Sequence, residues 1–377
     1  MPFGKEKQQP GIGLALSGGG YRAVLFHLGA LWRLNELGIL GQLSRVSSVS
    51  GGSIVSGLLA VRWAKLKFDG SGVASNFCDE VVTPLRSFCS SSIDASSIIS
   101  GALNPFKTAG EEVADKYREG LGMDVRLCDL PVQPGAPGQP RFVFNATNYA
   151  TGSSFRFSQP YAGDYRIGLI EHPTFDVATA VACSSAFPPV LAPIELDVDP
   201  SLFKQTEGAD LWGHVDYRRR LPLADGGVYD NLGLETVWGR YDTVLVSDAG
   251  KPFELDAGAG AFAPKQIMRV MDIGLNQALA LRKRMIIEQF QNKRLAGTYW
   301  GIGTPIAKYA TASMPVSPTR TLEMSAIRTR LDKFSEQEQC ELINWGYAVS
   351  DAAVRAHCPG IVKVEAAQTW PYSRFAL

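Results

Sequence analysis

The chain has 377 residues, 45% of them apolar, and its 37 lysines and arginines balance 37 aspartates and glutamates. That length and apolar share support a sizeable core in one large domain or two smaller ones, and the zero net charge supplies no global field for nucleic acid or an acidic partner. Six dispersed cysteines, without a CxxC pair or a histidine at metal-ligand spacing, point to a reduced chain without structural zinc, and no metal or cofactor is expected.

In chain order, MPFGKEKQQPGIGLAL carries too few apolar residues before SGGG for a secretory leader, and no run nears the roughly 18 apolar residues of a spanning helix. The expectation is a cytoplasmic or peripheral membrane location, with contact at a membrane surface left open. GIGLAL is a short buried strand, SGGG a glycine loop, and YRAVLFHLGALWRLNELG a buried helix stopped by Gly38. LSRVSSV reads as a second strand and IVSGLLAVRWAKLKF as a second helix, with SGG between them. This alternation opens an α/β domain with a parallel sheet.

Residues 69–76 and 90–97 read as loops into a partly helical insertion that runs to about residue 130, and PVQPGAPGQP at 131–140 as a surface connector. RFVFNATNYATGSSFRFS signals a hairpin, and residues 174–185 a helix ended by the prolines of AFPPV. RRLPLADGG and DTVLVSDAG each read as a strand ending in aspartate. A long helix follows over 265–296, then a Gly, Thr and Pro-rich loop over 301–320, then an amphipathic helix whose Ser335 and Glu338 fit a capping box. The clusters Arg218-Arg219-Arg220 and Arg282-Lys283-Arg284 read as solvated faces first and as anchors for anionic lipid second.

A serine needs an outward, strained backbone and a nearby base to act as a nucleophile. Within SSVSGGS at 47–53, only Ser50 has small residues both two before (Ser48) and two after (Gly52), with Gly51 opening the helix. A helix-capping serine is the alternative, since the pattern is S-x-S-x-G. Gly18, Gly19 and Gly20, between strand and helix, offer backbone N–H groups to an oxyanion. Phosphate binding is the rival reading, although SGGGYR lacks both the second spaced glycine of GxGxxG and the GK[ST] of a P-loop. His27, His172, His214 and His357 have no strand-end setting, so a carboxylate is the better base. Asp225 precedes two glycines at a strand end, Asp248 competes, and a turn or cap is the structural alternative for both.

Taken in order, SGGGYRA (17–23), SVSGGS (48–53), ACSSAFPPV (182–190) and ADGGVYDNLG (224–233) resemble the patatin-like phospholipase family over residues 11 to about 250. The resemblance implies a three-layer α/β sandwich with a mainly parallel central sheet flanked by helices. Residues 11–250 would be the catalytic domain, and 251–377 a mostly helical extension packed on it. It further implies acyl ester hydrolysis of a lipid by a Ser-Asp dyad without histidine: Ser50 the nucleophile, Asp225 the base, and Gly18 to Gly20 the oxyanion loop. Arg22 matches an arginine that binds phosphate or fixes that loop, with a structural salt bridge as the alternative. Ser17 and Ser48 depart from the family's usual Asp and Gly. The helix near 265–296 would shape or lid the acyl site, or simply pack. Two alternatives accompany this reading, a catalytically silent lipid-binding or interaction protein and a histidine-dependent α/β-hydrolase.

Overall fold

Apolar strands followed at once by apolar helices leave a sheet little choice but to be covered on its faces, and this sets the architecture. The computed structural model describes residues 8–93, 109–130, 138–188, 191, 193–258 and 263–377. Most of the expected connector at 131–140, the middle of the expected insertion, and the last prolyl-valyl pair of AFPPV lie outside the described residues.

The strands are β1 (Gln9–Leu16), β2 (Leu43–Ser48), β3 (Arg141–Asn148), β4 (Ser153–Ser158), β5 (Tyr161–Asp164), β6 (Gly168–Glu171), β7 (Ile194–Asp197), β8 (Phe203–Lys204), β9 (Arg220–Asp225), β10 (Tyr241–Asp248) and β11 (Ala296–Gly301). They form one sheet in the order β11-β10-β1-β2-β3-β4-β5-β6-β8, with β9 beside β3 and β7 beside β9. From β11 to β3 every pairing is parallel, because helices α1 (Gly20–Glu36) and α2 (Gly51–Arg62) carry the chain back across the sheet. Beyond β3 the connections shorten to hairpins and the sheet turns antiparallel. The expected parallel sheet is therefore the half that carries the site, within a mixed sheet.

Three further helices matter to the site: α3 (Val177–Ser185), the single turn α4 (Gly227–Asp230) and the long α5 (Ala263–Gln291). A fourth, α6 (Glu336–His357), starts with the foreseen capping box, Ser335 and Glu338 each bonding the other's backbone. Alternate strand residues face opposite sides of the sheet. Leu14, Leu16 and Leu245 enter the large core with α1, α2, α3 and α6. Ala15, Val244 and Val246 enter a smaller core with Ile286 of α5. These are the three layers.

Strand β11 was not foreseen, since AGTYWG fell between the expected helix and loop. Two glycines in six residues give it little strand preference of its own. Its six-residue parallel register with β10 and the burial of Trp300 hold it there. The part of the chain after 250 thus supplies an edge strand as well as helices. Helix α6 lies along α1, where Arg33 Nε donates to Asp351 Oδ1 at 2.7 Å with both side chains fully buried.

Candidate active site

Two strands share one edge of β3. β2 pairs with it over Arg141 to Phe144, and β9 takes over at Ala146 to Asn148, while β4 occupies the other edge. Ser48 lies opposite Phe144 and Asp225 opposite Ala146, so the ends of β2 and β9 meet head to head. Ser50 and Asp225, 175 positions apart in the chain, come together at that junction.

Ser50 sits between β2 and α2 at φ 52, ψ −120, one of three non-glycine residues with positive φ among those described. Such a backbone is strained for a side chain and thrusts it outward at a helix N-terminus. Its neighbours are small because space is absent. A Cβ on Gly51 would fall 2.2 Å from the Gly20 carbonyl oxygen, and one on Gly52 2.5 Å from that of Leu16. The other serines of the stretch are engaged beneath. Ser47 Oγ donates to the Gly233 carbonyl, and Ser48, Ser53 and Ser56 form a chain of hydroxyls that reaches Ser184. A serine at 48 is thus accommodated by that buried chain.

Asp225 is 2% exposed, takes a hydrogen bond from Gly227 N–H at 2.6 Å, and has the Ser50 hydroxyl beside it, with both residues lining one cavity. Burial raises its pKa from the usual 3.8 to about 7, against the pull of those two donors. A carboxylate poised near neutrality is suited to general base work. Asp248, the competitor, is tied by Lys283, Tyr299 Oη at 2.7 Å and Gly250 N–H at 2.8 Å. Burial would raise its pKa, but these partners outweigh burial and hold it below the usual range. It does not line the cavity that holds Ser50.

That cavity, about 800 Å³, is bounded by Gly18, Gly19, Gly20, Ser50, Asp225 and Asn231, with apolar walls from Phe187, Leu191, Phe253 and Leu279. The three glycines are not equivalent. Gly18 N–H already donates to the Asn231 carbonyl at 3.1 Å, whereas the N–H groups of Gly19 and Gly20 have no partner among the described residues. They open α1, where its dipole is positive, so the donors left for an oxyanion are those of Gly19 and Gly20. Gly20, at φ +56, also admits the Thr329 carbonyl where a Cβ would lie 1.6 Å away.

Arg22 is absent from the cavity wall and fully buried. Its guanidinium donates to the carbonyls of Ser325, Ile327 and Ala249 at 2.7 to 2.8 Å, tying the start of α1 to the residues after β10 and to the segment at 325–327. His27 is also buried. Its Nε2 faces the Ser17 carbonyl, so Nε2 donates there and Nδ1 accepts from Ser247 Oγ, while burial lowers its pKa to about 4. His172, His214 and His357 are exposed, and no histidine lines the cavity.

Ser184 escaped the sequence reading. Its carbonyl accepts from Ser50 N–H at 3.1 Å and from Gly226 N–H at 3.3 Å, and its Oγ accepts from Ser50 N–H and donates to the Asn145 carbonyl. One residue thereby fixes the backbones of both members of the pair. The only available signal was its place in ACSSAFPPV, to which no role was assigned.

A family described as Patatin-like phospholipase matches residues 14–238. Comparison with curated proteins found no match. Among solved structures, human GIVD cytosolic phospholipase A2 is similar in fold, with TM-score 0.53 and 13% identity over 94% of this chain and 61% of that one. A structure of the same human protein in complex with Methyl gamma-Linolenyl Fluorophosphonate gives TM-score 0.51 and 16% identity over 91% and 57%. The chain thus spans about three fifths of the length of the structures it resembles.

Proposed function

The chain belongs to the patatin-like phospholipase family, and from that premise we propose that it hydrolyses acyl esters of lipids through a Ser50–Asp225 dyad. The meeting of a strained Ser50 (φ 52) and the buried Asp225 on the wall of one apolar cavity is the observation that carries this reading. Asp225 takes the Ser50 proton as Oγ attacks the acyl carbonyl carbon, and the N–H groups of Gly19 and Gly20 receive the oxyanion. Collapse breaks the ester bond, and Asp225 returns the proton to the departing alcohol. Water then attacks the acyl-enzyme, gives its proton to Asp225, and leaves as part of the fatty acid while Ser50 regains its hydrogen.

The apolar walls fit an acyl chain, and a lipid presented at a membrane surface is the natural substrate form. Ser50→Ala and Asp225→Asn are each expected to lower kcat on a fluorogenic acyl ester by about 10⁴-fold or more. A fluorophosphonate probe should label wild type and leave Ser50→Ala unlabelled. Full activity in Asp225→Asn, together with loss of activity on replacing any histidine, would instead favour the triad mechanism.

A further inference from the structure

A surface helix of a water-soluble fold turns its apolar side toward its own core. The first half of α5 does the reverse. Arg269, Asp272 and Asn276 face the catalytic cavity together with Leu275 and Leu279. Outward stand Ile267, Val270 and Leu281, 63%, 68% and 52% exposed, with Met268, Met271, Ile273 and Met285 also exposed. At about 100° per residue, these positions cover more than half of the helix circumference. The segment IGLNQALAL at 273–281 carries no charge. The second half of α5 is anchored: Arg282 reaches Asp230 and Glu235, Lys283 reaches Asp248, and Ile286 is buried. Leu255, 92% exposed, extends the outward surface, because Arg269 donates to the Glu254 carbonyl and stacks on Phe253 next to it.

Building on the acyl hydrolase reading, we propose that this outward face of α5, with Leu255, inserts into the interfacial layer of a lipid bilayer and sets the cavity mouth against its substrate. A seam for a second helix would be narrow and flanked by charges that fix register. An apolar arc this wide, uncharged from Ile273 to Leu281 and continuous with a cavity that reaches Ser50, suits a fluid lipid surface. Among the described residues no helix is long and apolar enough to cross a membrane, which is compatible with shallow insertion.

The test is binding of the whole chain to vesicles of phosphatidylcholine and phosphatidylglycerol, followed by sedimentation, for wild type, Val270→Glu with Met271→Glu, and Leu255→Glu. Wild type is expected to partition onto vesicles, the double variant to bind about a hundredfold more weakly, and Leu255→Glu about tenfold more weakly. Melting temperature and turnover of a soluble short-chain ester should stay unchanged, since none of these side chains touches the cavity. Equal vesicle binding by all three proteins overturns the proposal. So does a wild-type dimer, seen by light scattering, that the same substitutions dissociate, because the face would then belong to a second copy. Vesicle binding without hydrolysis of any ester would leave the docking surface standing and remove the catalytic reading.

Discussion

Asp225 has opposite effects on activity and on stability. In the folded chain it keeps its proton up to about pH 7, whereas an exposed aspartate loses it near 3.8. Between those values the folded state binds more protons than the unfolded state. Stability is therefore fully present below about 3.8 and is lost progressively as pH rises through about 7. Hydrolysis needs the ionised form, so kcat/KM is expected to rise through about pH 7 and level off above it. An asparagine can still accept from Gly227 but cannot ionise. Asp225→Asn should thus raise the melting temperature at about pH 8.5 and change it little at about pH 4, which calorimetry at the two values would resolve. An equal shift at both values would mean that the buried charge is not the source. Residue patterns alone left Asp225 and Asp248 as competitors. What separates them, a free neighbour in one case and a lysine and a tyrosine in the other, comes from residues 283 and 299 and was not legible near either aspartate.

At the scale of elements, the oxyanion loop is positioned by a helix crossing far from it. A Cβ on Gly29 of α1 would lie 2.0 Å from the Ile343 carbonyl oxygen, and one on Gly346 of α6 would lie 1.9 Å from that of Phe26. Both contacts are to backbone, which cannot swing aside, so Gly29→Ala must push the helices apart. The expected cost is about 1–3 kcal/mol in urea denaturation. Because Gly19 and Gly20 lead directly into α1, kcat should fall as well, while a Gly70→Ala control, where a Cβ would meet no atom within 4 Å, should leave kcat unchanged. Elements built on local pattern were readable in advance: β1, α1, β2, the β3–β4 hairpin and the capped start of α6 all follow from apolar runs, turn residues and caps. Gly18 could not be told from its neighbours, because the carbonyl that engages its N–H belongs to Asn231. β11 was hidden for a similar reason, since its stability resides in the register with β10.

For the whole molecule, the question is whether the segment that matches the family, residues 14–238, is a unit that folds alone. The packing argues against it. A chain ended after residue 250 would keep Ser50, Asp225 and the glycine loop, yet β10 would become an unprotected edge on losing β11. Arg33 would lose Asp351, Tyr347 and the carbonyls of Ala366 and Ala367, and with them its cover. Arg22 would lose the carbonyls of Ser325 and Ile327, two of its three acceptors. The face of α1 covered by Leu342, Ile343 and Trp345 would meet water. These losses fall on a fold whose net stability is usually only about 5–15 kcal/mol. The fragment ending at 250 is therefore expected to aggregate or to show helical far-ultraviolet dichroism without near-ultraviolet signal, and to resist fluorophosphonate labelling. A cooperative melt and a labelled Ser50 in that fragment would make the C-terminal part a true appendage, and the oxyanion loop would then owe its position to residues before 250 alone.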